Sequence, residues 1–132
     1  MLFLSQADVD NYINEVIGHV ATQLGVSPNL NAIKAKNPTV GAALEAFIQA
    51  YINWYKFHVA IDASMSVRLS NQEHQTLLNR ILFRDSTRND LVNSISNALS
   101  ISVSSVQFNP TYDEAQQDEI LEERLETLFG QK

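Results

Sequence analysis

The sequence predicts an all-α fold, a helical bundle around one long central helix, and three observations carry that prediction. Only four glycines and three prolines punctuate 132 residues, too few turn formers for a many-stranded β architecture. Apolar residues recur at helical spacing in segment after segment. Cap signatures stand where those segments begin.

The first segment shows all of this at once. Val9, Ile13, Val16, Ile17, Val20 and Leu24 form a continuous stripe, Ser5 with Asp8 makes a capping box, and Leu4 can staple to Val9. Gly25 followed by Val26 suits a left-handed C-terminal cap, so a helix is expected from about Gln6 to Leu24. Ser27-Pro28 then suggests a short helix or turn to about Ala35.

Asn37-Pro38 repeats the start signal and opens the expected central helix, which meets no breaker after Gly41 until about Arg68. Its first half carries one stripe (Val40, Leu44, Phe47, Ile48, Tyr51, Ile52, Tyr55). Its second half adds Trp54, Phe57, Val59, Ile61 and Met65 around most of the circumference, which implies burial on most sides. Ser70 with Glu73 and Thr87 with Asp90 read as two further capping boxes, and so as the starts of two separate helices. The stretch Ser100 to Phe108 changes to alternation and reads as a short strand with a bulge or an extended arm. Thr111 with Glu114 then starts an acidic C-terminal helix, with Ile120, Leu121, Leu125, Leu128 and Phe129 on its apolar face and Gly130 at its end.

Length gives one domain, organised as a helical body at 1–108 and an acidic helical tail at 109–132. The tail holds seven of the fifteen acids (Asp113, Glu114, Asp118, Glu119, Glu122, Glu123, Glu126) against Arg124 and Lys132, a net of −5 out of −6. Neither part offers the basic surface that a phosphate backbone requires, so nucleic acid is not expected as the main ligand. The absence of cysteine excludes thiolate metal sites, thiol nucleophiles and disulfides. No run reaches the roughly 18 apolar residues of a membrane span, and the opening Met1-Leu2-Phe3-Leu4 lacks the make-up of a signal peptide. The expected location is the cytoplasm, or a virion if the resemblance below holds.

Candidate chemistry is sparse. His58 and Asp62 could offer two metal ligands from one helix face, but a site needs a third and fourth. His19 and His74 read as surface residues. Carboxylate pairs such as Asp8 with Asp10 and Glu122 with Glu126 are accounted for by capping and solvation. No nucleophile elbow surrounds the serines between Ser94 and Ser105, and there is no glycine-rich phosphate loop. The cluster Tyr51, Trp54, Tyr55, Phe57 and His58 could line a ligand cavity, but at helical spacing it reads as core or subunit contact. No catalytic residue, cofactor or metal is therefore expected.

Arg80, Arg84 and Arg88 recur every four residues. They are candidates to receive an acidic helix, either this chain's own tail or a neighbour's. With the apolar face of the tail they form the expected partner-binding set of a non-enzymatic assembly protein, in which the tail helix packs in trans. The alternative is a small acidic regulator or inhibitor whose tail docks on a basic partner surface.

The opening "MLFLSQADVDNYINEV", a short apolar stretch before an acidic capped helix, and the apolar helix "ALEAFIQAYINWY" carry a resemblance. In these features, in size and in a C-terminal arm, the chain resembles the small helical connector subunits between portal and tail in bacteriophage particles. The resemblance implies a structural role in a virion, with a homo-oligomer and a second structural protein as partners. It carries over no functional residue.

Overall fold

The computed structural model describes residues 4–63, 71–106 and 108–130, with the side chains of 58, 60–63, 71–74 and 124–130 outside the description. The chain is an all-α bundle of five helices: α1 (Gln6–Leu24), α2 (Leu30–Lys36), α3 (Pro38–Ala63), α4 (Asn71–Leu99) and α5 (Glu114–Gly130). A 3₁₀ turn at Val103–Ser105 is the one other element among the described residues, none of which form a strand.

Local chemistry sets most of the helix ends. The Ser5 hydroxyl accepts from the Asp8 N–H while Asp8 accepts from the Ser5 N–H, the reciprocal box expected of that spacing. Gly25 closes α1 in the left-handed region at φ 71°, where a side chain would be strained, and Val26 N–H returns to the Ala21 carbonyl. Asn29, not Ser27, caps α2, its Oδ1 accepting from Ala32 N–H at 2.7 Å. Asn37 caps α3 through Val40 N–H, with Pro38 at the first helical position.

Two sequence expectations change here. α3 is the long central helix that was expected, but the separate helices expected from the Ser70 and Thr87 boxes are one, since α4 runs unbroken through Thr87. Thr87 sits mid-helix, buried, its hydroxyl donating back to the carbonyls of Phe83 and Arg84. A Thr-x-x-Asp spacing is a cap only where the backbone leaves the helical region, and at Thr87 it does not. The Arg68 end of the predicted central helix, Met65 and the Ser70 box lie outside the described residues.

The other change concerns 101–108. Ser100, in the left-handed region at φ 54°, ends α4, and Ile101 N–H returns to the Ser96 carbonyl. After the 3₁₀ turn, Val106 and Phe108 are 2% and 5% exposed and belong to the chain's own core. The alternation of the sequence is real, but the apolar side chains of Val106 and Phe108 fill this chain's own core.

Arg84 stacks over Trp54 and Arg88 over Phe47, so α4 returns antiparallel along α3. α1 crosses the same core: Tyr12 meets Phe47 and Tyr51, and the Tyr55 hydroxyl donates to the Leu4 carbonyl at 2.9 Å. Gly41 lets α2 approach α3 closely, since a Cβ there would lie 2.6 Å from Lys34 Cγ and 2.7 Å from its Cα. The core includes Trp54, Tyr51, Phe47, Ile33, Leu44, Leu91 and Ile95, each 1% exposed or less.

Candidate functional site

The densest polar constellation is where α5 lies on the α3–α4 hairpin. Arg84 projects from α4 towards α3, with its guanidinium 4.7 Å from the centre of the Trp54 ring. It forks onto Asp118 of α5, Nη1 to Oδ1 and Nη2 to Oδ2, both at 3.0 Å. Asp118 Oδ1 also accepts from the Trp54 indole N–H at 3.0 Å. One turn along, Arg88 reaches Glu114 Oε2 at 2.6 Å and the Tyr12 hydroxyl at 3.2 Å. The four-residue spacing of the arginines therefore meets the four-residue spacing of two acids on an antiparallel helix, a ladder of two rungs.

Aromatic hydroxyls close this clasp. Tyr12 donates to the Phe108 carbonyl, so a single side chain ties α1, α4 and Phe108 together. The Tyr51 and Tyr112 hydroxyls lie 2.6 Å apart, and the charge of Glu114 adds to burial in raising Tyr51. At the other end of the contact, buried Gln117 accepts from Leu4 N–H at 3.2 Å.

Burial dominates the electrostatics. It pushes the Tyr12 hydroxyl up to about 12 against the opposing pull of Arg88, and it raises Tyr51 and Tyr112 as well. Burial works to lower Arg84 and Arg88, but hydrogen bonds and charge from Asp118 and Glu114 outweigh it and hold both above the ordinary arginine value. For Asp118 burial raises the pKa, and Arg84 and Trp54 pull it back without cancelling the rise. The two directions describe one situation: each charge is costly to bury and is kept only by its partner.

These positions revise the expected partner-binding set. Ile120 and Leu121, 9% and 0% exposed, pack within the chain, so this half of α5 docks in cis and not on a neighbour. The side chains of Leu125, Leu128 and Phe129 lie outside the description. Arg84 is 3% exposed and is therefore no part of a surface patch. Arg84 and Arg88 receive the chain's own tail, whereas Arg80 turns to α3, donating to the Asn53 carbonyl and lying 5.6 Å from the Phe57 ring centre.

The helix cap also moves: Asp113, not Thr111, starts α5 by accepting from Gln116 N–H at 3.1 Å. Trp54 is core, 0% exposed. The His58 side chain, and with it the His58–Asp62 pair, lies outside the description, as does His74. His19 is exposed and meets Phe108 edge-on. Among the described residues no group of three or more His, Asp or Glu could hold a metal ion, and no helix is long and apolar enough to cross a membrane.

Sequence reasoning had the arginines and the acids but did not pair Arg84 with Asp118 or Arg88 with Glu114. The matching spacings, 84/88 and 114/118, were the available signal. A different feature lies on the far side of α4, where Leu82 and Phe83 stand side by side, 67% and 61% exposed. No protein-family model, curated protein or solved structure matches the chain.

Proposed function

We propose that this chain is a non-enzymatic assembly subunit that works as a homo-oligomer, and that its resemblance to phage head-to-tail connectors reflects a structural role of that kind. The observation that carries the reading is the outward pair Leu82 and Phe83, adjacent in the chain and more exposed than Val59 and Val103, the other exposed large apolar side chains among the described residues. Adjacent exposed apolar residues of this size mark a protein contact more often than a catalytic site. The clasp supports the same role, since it locks the segments on both sides of the hairpin into one body that can present a fixed surface.

The regulator reading is weaker. A tail that mimics negative charge should turn its acids outward; Asp113, Glu119 and Glu123 are exposed, but Glu114 and Asp118 are engaged inside the fold.

Light scattering across a concentration series, in low and high salt, tests the proposal. A discrete oligomer that persists in high salt is expected, because an apolar contact is not screened. A monomer under every condition refutes homo-oligomeric assembly. Removing residues 110–132 is not a suitable probe, because it would strip the counter-ions from buried Arg84 and part-buried Arg88.

A further inference from the structure

Resting on the assembly reading, we propose that the outer face of α4 is a self-association surface on which a second copy of this chain packs its own α4 antiparallel, with the two-fold axis between Leu82 and Phe83. Exposed Gln75, Asn79, Leu82, Ser86, Asn89 and Asn93 follow one another at alternating spacings of four and three. With exposed Phe83 and Asp90 along one edge they make up the outward face of α4, opposite the face that carries Arg84 and Leu91 into the core.

The chemistry of the stripe points to a second copy. In a two-fold contact each patch meets itself, so a charged residue risks meeting its own like charge. On a chain of net charge −6, Asp90 is the only charged residue among the exposed positions between 75 and 97, while Asp85, its side chain half exposed, is paired with Arg84 and Arg88. The rest is amide, hydroxyl and apolar. Amides suit self-pairing because each carries both donors and an acceptor, which Lys or Glu does not.

The axis position follows from the same residues. A two-fold between 82 and 83 puts Leu82 against the partner's Phe83 at the centre, Asn79 against Ser86, and Gln75 against Asp90, so that the one charge faces an amide donor. This gives an apolar centre with a polar rim, the usual anatomy of a protein contact. The strip from 75 to 93 is about 27 Å long. A seam of that length falls below the roughly 800 Å² per partner of a standard interface, so the dimer should be concentration-dependent and not obligate.

The test uses the full chain. Leu82→Glu/Phe83→Glu should weaken the dimer at least 100-fold by sedimentation or light scattering while the melting temperature and circular dichroism stay unchanged, because both sites are exposed. The chain has no cysteine, so introduced thiols report unambiguously. Asn79→Cys/Ser86→Cys should give a covalent dimer on oxidation or with a short thiol cross-linker. Asn97→Cys should not, since antiparallel copies place that position roughly 40 Å from its mate.

An oligomer that survives the double glutamate substitution overturns this surface and leaves the assembly reading standing. Efficient cross-linking through Asn97→Cys overturns the antiparallel geometry. A wild-type chain that stays monomeric overturns both this inference and homo-oligomeric assembly.

Discussion

Replacing Asp118 by alanine should be among the most damaging single changes available to this protein. Arg84 would keep a guanidinium whose side chain is 4% exposed, with only half-exposed Asp85 left as an ionic partner, and the Trp54 N–H would lose the acceptor it has at 3.0 Å. Removing one member of a buried ion pair costs about 3–5 kcal/mol, because the survivor's desolvation is no longer offset. Unfolding entropy near 2.1 cal/mol/K per residue gives about 0.28 kcal/mol/K for a chain of this size, so the melting temperature should fall by roughly 10–18 °C. Urea unfolding followed by circular dichroism and by fluorescence of the single tryptophan, Trp54, measures the loss and reports the site itself. Arg84→Met/Asp118→Leu should recover at least about 1–2 kcal/mol of it, since an apolar pair needs no counter-ion. A loss under about 1 kcal/mol for the single variant, or additive losses in the double, would refute the clasp as described.

Two glycines give opposite forecasts. Gly18→Ala, with open space around its new methyl, should raise stability by about 0.5–1 kcal/mol through helix propensity, whereas Gly41→Ala should lower it by about 1–3 kcal/mol by forcing Lys34 and α2 away; thermal melts of the two variants decide. Alkaline pH should unfold the protein through its tyrosines. Below about pH 10 Tyr12 is protonated whether folded or not, but between about 10 and 12 the unfolded chain loses that proton and the folded one keeps it, so stability falls as pH rises through this window. Tyr12 alone removes about 2 kcal/mol by pH 12. Urea midpoints against pH, with tyrosine ionisation followed by absorbance, check it; a flat profile to pH 12 would contradict the burial of these hydroxyls.

The sequence by itself determined most of the secondary structure, because the forces involved act within a few residues. The Ser5–Asp8 box, the Gly25 cap and the Asn37-Pro38 start satisfy backbone groups no more than a turn away, and the apolar stripe of α1 needs no knowledge of what it packs against. Where the same local reasoning failed, the deciding partner was distant. Thr87 carries a cap motif, yet continuation of α4 over both flanks denied it the backbone angles of a cap. Val106 and Phe108 alternate like a strand, but the cover they found was this chain's own core.

The arginine row shows the limit most directly. Its periodicity was legible, but whether Arg84 faces water or the interior depends on Asp118, 34 residues on, and Arg88 depends likewise on Glu114. Only the tertiary structure set those helices antiparallel and in register, because a buried charge is tolerable only when its counter-ion arrives at hydrogen-bonding distance. What faces the other way, the sparsely charged face around Leu82 and Phe83, became visible as a surface once the opposite face of α4 was known to be full.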